Sequence, residues 1–427
     1  MYEISQSTYA YFSPIHCDRQ FSDIIESMHT SEKSIIWYIS IIGFLGIFST
    51  TISKNPVLPL FIQGLGGADW ILGIIASASP LAGIILSFPV GYIADEIGKR
   101  KLLIVSAIVF TVAPLLYLFV TNPLLLIPIR LFHGTATAIM VPVASALIVG
   151  YFDKNKAERL GIYSSATLFG RTLAPLAGGF IISYFASMGN LINFRIVYMT
   201  AFVASLPILI LTLLIPKEPG THVAKVSMKN MLSALRQFFR EKVLIATAGV
   251  DMSTYFIYGV LEAYLPVFLI SKHIPANLIG LLFSLQVISI AITKPFFGKL
   301  ADRIDKRVQI LVGISILMVT TVSIYYISNF VLLMATVLIF GIGMSLSTIA
   351  TNTYMVELVE KGREGSALGL LSSLMDVGQT SGPFLTGFIV TWLSYQAGFF
   401  FAGFVALLSA LYFFYHAVIL AKRNRYH

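Results

Sequence analysis

Charge is what this chain has least of. Lys, Arg, Asp and Glu make up 11% of its 427 residues, less than half of the roughly 25% usual in soluble domains, so water is not the solvent for most of its surface. Cysteine is nearly absent as well. The single Cys17 excludes an internal disulfide and fits a reducing compartment. His16-Cys17 reads as ordinary tail sequence, and no metal or organic cofactor is expected. There is no His-Glu-x-x-His, no Gly-x-Ser-x-Gly and no Gly-Lys-Ser/Thr phosphate loop, which leaves no sequence support for an enzyme or an ATPase. The lone Gly341-x-Gly343 lies inside an apolar run with no strand before it. Alternating apolar and polar segments of about ten residues, the mark of an outer-membrane barrel, are missing too.

What is present is hydrophobic length: 57% of residues are hydrophobic. Twelve runs are long enough to cross a bilayer as helices, which takes about 20 residues each. They fall near 35–62, 70–94, 102–121, 123–150, 161–187, 194–215, 243–270, 276–298, 308–328, 330–354, 364–391 and 396–420. This predicts an all-α membrane protein. Residues 1–33 form a polar tail with no signal-peptide pattern, 34–215 and 243–421 form two six-helix bundles, 216–242 link them, and 422–427 form a basic tail. In the linker, Met228, Met231, Leu232, Leu235, Phe238 and Phe239 recur at helical spacing among bases, the pattern of a helix lying in the membrane interface.

A net charge of +9 could indicate nucleic acid, but its distribution follows the membrane instead. Lys99, Arg100, Lys101, Lys154, Lys156, Arg159, Arg303, Lys306, Arg307, Lys361, Arg363, Lys422, Arg423 and Arg425 all fall on one side of the spans, while the opposite loops carry little beyond Lys272 and Arg195. The positive-inside rule then puts both termini in the cytoplasm of a multi-pass protein of the cytoplasmic (inner) membrane. The expected partners are lipid and a small molecule, with no nucleic acid, and the chain is expected to act as a monomer.

The chain also repeats itself about 207 residues apart. Gly91-Tyr-Ile-Ala-Asp95-Glu-Ile-Gly-Lys99-Arg100 returns as Gly298-Lys-Leu-Ala-Asp302-Arg303-Ile-Asp-Lys-Arg307, and Gly170, Pro175, Gly179 return as Gly378, Pro383, Gly387. Leu58-Pro59 and Phe61 likewise align with Leu265-Pro266 and Phe268. Two homologous halves in so apolar a chain point to a two-lobed, pseudo-symmetric transporter.

These motifs carry a resemblance. Over about residues 34–421 the chain resembles the major facilitator superfamily, and in particular its drug:proton antiporters. Gly91, Asp95, Gly98, Lys99, Arg100 and Lys101 match that family's loop motif between helices 2 and 3, with Glu96 where a base is usual. The second copy keeps Asp302, Arg303 and Arg307 but has Asp305 for a glycine. Arg130-Leu-Phe-His133-Gly134 is similar to an Arg-x-x-Gln-Gly element, and Gly170, Pro175, Gly178 and Gly179 to the Gly-Pro motif of antiporters. The resemblance implies twelve helices with helices 1, 4, 7 and 10 around a cavity. The loops can act as a cytoplasmic gate of charge-assisted bonds or serve only as topogenic charge. The Gly-Pro segments, repeated as Gly378, Gly382 and Pro383, serve close helix packing or antiport.

Ionisable residues inside spans are functional candidates by default: Lys54, Arg130, Arg171, Asp251, Glu262, Lys294 and Asp376. Three bases lie in the first half and all three carboxylates in the second, so attraction runs across the middle. Lys54, Arg130 and Glu262 come out at a shared depth of roughly 10 to 15 Å from the outer surface, counting about 1.5 Å per residue. This predicts an outer gate joining the three. Asp251, Tyr255, Tyr258 and Glu262 fall on one helical face, expected to meet water, substrate or the other half. The cavity set is therefore Lys54, Asn55, Arg130, Arg171, Tyr255, Tyr258, Glu262 and Asp376, with Asp251, Glu262 and Asp376 as candidates for proton coupling. Static salt bridges remain the alternative for Arg171 and Asp376.

The expected function is secondary active transport driven by a proton gradient, exporting a small amphipathic compound. The alternative is transport of an organic anion bound by intramembrane Lys and Arg. Topology is testable directly. In a Cys17-free background, single cysteines at Asn122 and Asn329 should react with impermeant thiol reagents from outside, and those at Asn155 and Lys229 should not; the reverse pattern inverts the orientation.

Overall fold

A bilayer offers no water to backbone amides, so each apolar run must close its own hydrogen bonds. The computed structural model describes residues 32–152, 154–189, 191–216, 241–301, 303–360 and 364–420, and within them every predicted span is helical. Span 1 comprises Glu32–Ile52 and Val57–Gly64, followed by span 2 (Asp69–Ile97), span 3 (Lys99–Leu118), span 4 (Leu126–Tyr151), span 5 (Lys156–Tyr184) and span 6 (Ile192–Leu214). The second half repeats the set as span 7 (Lys242–Ser271), span 8 (Ala276–Ala301), span 9 (Lys306–Ile324), span 10 (Phe330–Leu358), span 11 (Glu364–Trp392) and span 12 (Tyr395–Phe413). Among the described residues eleven helices are long and apolar enough to cross a membrane. Span 11 is as long as any but one and more polar, with Ser372-Ser373, Asp376 and Gln379-Thr380-Ser381. The amphipathic linker helix and both tails lie outside the described residues.

One element differs from its expectation. Span 1, read as a continuous run, breaks between Ile52 and Val57. Pro56 has no amide hydrogen to donate and its ring crowds the preceding turn. Lys54 and Asn55 instead both bond back to the Thr51 carbonyl. The break places two polar side chains, Lys54 and Asn55, past the middle of the span.

Packing obeys the repeat. Spans 1 and 5 pair as spans 7 and 11 do, and spans 2 and 4 as spans 8 and 10 do. The halves meet along two equivalent seams, span 2 against span 11 and span 5 against span 8. In one seam a methyl group added to Gly73 would sit 2.5 Å from the Pro383 carbonyl, with Gly387 close by; in the other, one added to Gly280 would strike the Pro175 carbonyl, with Gly179 close by. Gly73 and Gly280 stand 207 residues apart, as do many repeated pairs, so both crossings use the same contact. Gly170 and Gly178 pack on span 1, and Gly378 and Gly382 on Met252 and Phe256 of span 7.

The Gly73 and Gly280 crossings lie toward the face opposite the basic loops. There, Ser77 Oγ donates to the Thr380 carbonyl at 2.6 Å, Ser284 Oγ to the Thr172 carbonyl at 2.7 Å, Asn277 N to Ser183 Oγ at 2.9 Å, and Tyr395 Oη to Asp69 Oδ1 at 2.9 Å. One hydrophobic cluster runs through both halves, from Phe61 and Tyr198 to Tyr264 and Phe268. Toward the basic face the core divides into a cluster of the first half around Phe110 and Leu147 and one of the second around Leu244 and Leu371. Gly161, Gly365 and Gly369 meet open space there. The molecule is closed on one face and open on the basic face.

The seams supply a test. Gly280→Ala forces a methyl into a backbone carbonyl of the other half, and overpacking of this kind costs about 1–3 kcal/mol. The closed face should loosen. A cysteine at buried Ala263 should then label roughly tenfold faster than in the parent with Gly280; an unchanged rate would show that the seam is not what holds this face shut.

Candidate functional site

Between the halves lies a cavity of about 2020 Å³, lined by both bundles and open to the basic face. At its blind end the two consecutive residues at the break in span 1 reach span 7. Lys54 forms an ion pair with Glu262, and Asn55 Nδ2 donates to the other Glu262 oxygen at 2.7 Å. Glu262 is buried, so both carboxylate oxygens are satisfied from the opposite half, the condition under which a buried charge is tolerated. Asn55 and Glu262 are equivalent positions in the repeat, so this contact lies on the axis relating the halves.

Tyr255 and Tyr258 line the cavity on the same face of span 7, with ring centroids 6.5 Å apart. Asp376 enters from span 11 over Gly83 of span 2, where an added methyl would come within 2.8 Å of its Oδ2. Arg171 and Lys294 are both exposed to the cavity, and neither forms an ion pair among the described residues. The alternative reading, a static salt bridge at Arg171 or Asp376, has no ion pair to represent it among the described residues in this conformation.

Two expectations need correction. Asp251 does not share the cavity with Tyr255, Tyr258 and Glu262. It is 3% exposed and accepts a 2.8 Å hydrogen bond from Thr351 Oγ1 of span 10, because at that end span 10 packs over span 7 and gives the short carboxylate a nearer partner than the cavity. Arg130 does not join Lys54 and Glu262. Its side chain is buried beside Tyr117, Tyr198 and His133, where the tyrosine rings stack at 4.4 Å and Tyr117 Oη lies 3.4 Å from His133 Nδ1. Equal depth did not imply equal direction. Arg130 still borders the cavity, and its Nε and Nη1 have no hydrogen-bond partner.

Sequence reasoning missed Gly83, Tyr117 and Tyr198. The two tyrosines sit among many span aromatics with no pattern to single them out. Gly83 lies where span 2 crosses span 11, and only the crossing reveals it.

Of the loop residues, Asp302 and the side chain of Asp95 lie outside the described residues. Lys99 is buried. Arg100 Nη2 donates to the Leu213 carbonyl at 2.7 Å, in the last turn of span 6, where a cation meets the negative helix end. Arg303 is exposed. Arg307 grips Asp305, with Nη2 2.6 Å from Oδ2, and Nη1 reaches the Ala417 carbonyl at 3.1 Å. The residue that departs from the family motif, Asp305, is thus the acid that holds Arg307, and this bond keeps the Asp305 carboxyl below its usual range.

Two repeated bundles around one shared cavity, closed at one face and open at the other, define a membrane carrier. The model of the Major Facilitator Superfamily matches residues 39–276 and 252–425, and the chain belongs to that family. It is therefore a multi-pass membrane transporter and not an enzyme. An uncharacterized MFS-type transporter from Methanocaldococcus jannaschii is 25% identical over 358 residues, covering 83% of this chain and 90% of that one. The multidrug resistance protein MdtG of Proteus mirabilis is 26% identical over 373 residues (84% and 89% covered), and the multi-drug resistance efflux pump PmrA homolog of Lactococcus lactis 23% over 378 (86% and 91%). Among solved structures, a bacterial homolog of the human lysosomal transporter Spinster, in an inward-facing and unoccupied conformation, superposes with a TM-score of 0.76 at 16% identity, covering 91% of this chain and 98% of that one.

The ion pair can be tested by exchange of its charges. Glu262→Gln leaves Lys54 uncompensated and should weaken closure of the far face by about 1–3 kcal/mol. Lys54→Glu with Glu262→Lys should recover part of that loss in spin-label distance distributions across the far face. A double variant no better than the sum of its singles would show that the two side chains do not act as partners.

Proposed function

We propose that this transporter exports an amphipathic small molecule in exchange for protons, by alternating access across the cytoplasmic membrane. The observation that carries the proposal is the contact of Lys54 and Asn55 with Glu262. It joins the two halves at the blind end of a cavity whose other end is open. If the basic face is cytoplasmic, as the positive-inside rule requires, this conformation accepts substrate from inside. A bond between halves is made when the far face closes and lost when it opens, which is what a two-state carrier needs.

Protons enter the scheme at the carboxylates. Glu262 holds a base of the opposite half, and Asp376 lies beside span 2 and within electrostatic reach of Lys54. Protonating either removes an attraction between the halves and so couples proton binding to conformation. Asp251, behind the cavity wall, would need a proton path past Thr351. The proton gradient supplies the energy and no cofactor is called for. The name of the PmrA homolog, an efflux pump, and that of MdtG, a multidrug resistance protein, support export.

In proteoliposomes of the purified protein, a pH gradient should drive uphill movement of at least one of dansylglycine, dansylamide and dansylcadaverine, which share one apolar body. Asp376→Asn or Glu262→Gln should abolish the gradient-driven component and retain counterflow exchange. Transport that ignores the gradient in the unaltered protein, or gradient-driven transport preserved in both variants and in Asp251→Asn, would reject proton coupling through these groups.

A further inference from the structure

Within the spans, charge in the cavity does not balance. The walls there hold Lys54, Arg130, Arg171 and Lys294 against Glu262 and Asp376, four bases to two acids, a formal surplus of two positive charges. Counting Asp251, which lies behind the wall on Thr351, still leaves a surplus of one. Glu241 and Glu360 also line the cavity at its open mouth, just outside the ends of spans 7 and 10, which brings the whole lining to four bases and four acids and confines the surplus to the part within the spans. Glu262 is occupied by Lys54 and Asn55, and Lys54 is also the base acting on Asp376. Arg130, Arg171 and Lys294 are left without an ion-pair partner among the described residues.

Two of these three line the cavity from opposite halves. Arg171 lies on span 5 and Lys294 on span 8, the spans that touch at Gly179 and Gly280 and separate toward the basic face. Both are exposed to the same cavity and carry the same charge. Such a pair resists being brought together, and closing the basic face brings spans 5 and 8 together. A negative group between them reverses the sign of that interaction.

We propose that the cavity takes an amphipathic organic anion whose carboxylate, sulfonate or phosphate group is held between Arg171 and Lys294. This rests on the reading of the cavity as the transport site and names the charge of what it carries. The apolar body lies against Phe283, Val287, Ile290 and Met344. The unpartnered Nε and Nη1 of Arg130 add positive potential at the blind end, which draws an anion inward and disfavours a cation. The contact that recognises the head group also permits closure of the face by which it entered.

The test is equilibrium binding to the full-length protein in phosphatidylcholine nanodiscs with no pH gradient, read by energy transfer from tryptophan to the dansyl group. Dansylglycine should bind at least about tenfold more tightly than dansylcadaverine, with dansylamide between them. Arg171→Gln and Lys294→Gln should each weaken dansylglycine about tenfold and leave dansylamide within about twofold, whereas Arg171→Lys and Lys294→Arg should retain most of the affinity. Both side chains are open to the cavity, so these variants keep their packing. Equal or tighter binding of dansylcadaverine, no saturable binding of dansylglycine, or unchanged affinity in both Gln variants overturns the proposal. Failure of the exchange reading looks different. Dansylglycine would then bind as stated while no probe responds to a pH gradient in proteoliposomes.

Discussion

The contact between Lys54 and Glu262 is the interaction on which the rest of this architecture turns. Neither charge is tolerable alone in a bilayer, where an uncompensated ion costs several kcal/mol. Each is made tolerable by a residue of the other half. The halves can separate at that level only if water reaches the charges as they part. The pair therefore ties two events together: opening of the far face and hydration of the cavity's blind end.

The remaining contacts across the seam are individually weak. Hydrogen bonds between helices in membranes average about 0.6 kcal/mol, so the four described at the closed face amount to roughly 2–3 kcal/mol. That is less than the about 5.5 kcal/mol of differential binding that swings a two-state equilibrium from one side to the other. A closure of this strength holds one conformation without trapping it. The seams are also matched: the same Gly-on-carbonyl crossing occurs twice, so the two bundles can rock about them without favouring one edge.

How much of this was legible in the sequence varied with the kind of signal. Span number and the two-bundle organisation rest on hydrophobic length and a long-range repeat, both properties of the chain itself. The pairing of Lys54 with Glu262 was legible because repeat alignment sets Asn55 opposite Glu262 and segregates the charges by half. Direction around a helix was not. Arg130 shares a depth with Lys54 yet turns into a tyrosine nest, and Asp251 shares a face with Tyr255 yet is captured by Thr351; in both cases a neighbouring helix chose the partner. Gly73 and Gly280 were available at the repeat offset, but a single small residue in a membrane helix carries no mark until the helix it touches is known. The break at Pro56 had a plain signal, a proline within an apolar run, that hydrophobic length alone overrode.

The position of Asn55 and Glu262 on the axis between the halves constrains which side chains can stand there. In a chain made of two identical copies, a side chain on that axis meets its own duplicate. Asparagine can face asparagine, since an amide both gives and accepts hydrogen bonds, but two carboxylates there would repel. A carboxylate on the axis therefore requires two halves that differ there, and this one finds both bonding partners, Lys54 and Asn55, on the half whose equivalent residue is a neutral amide.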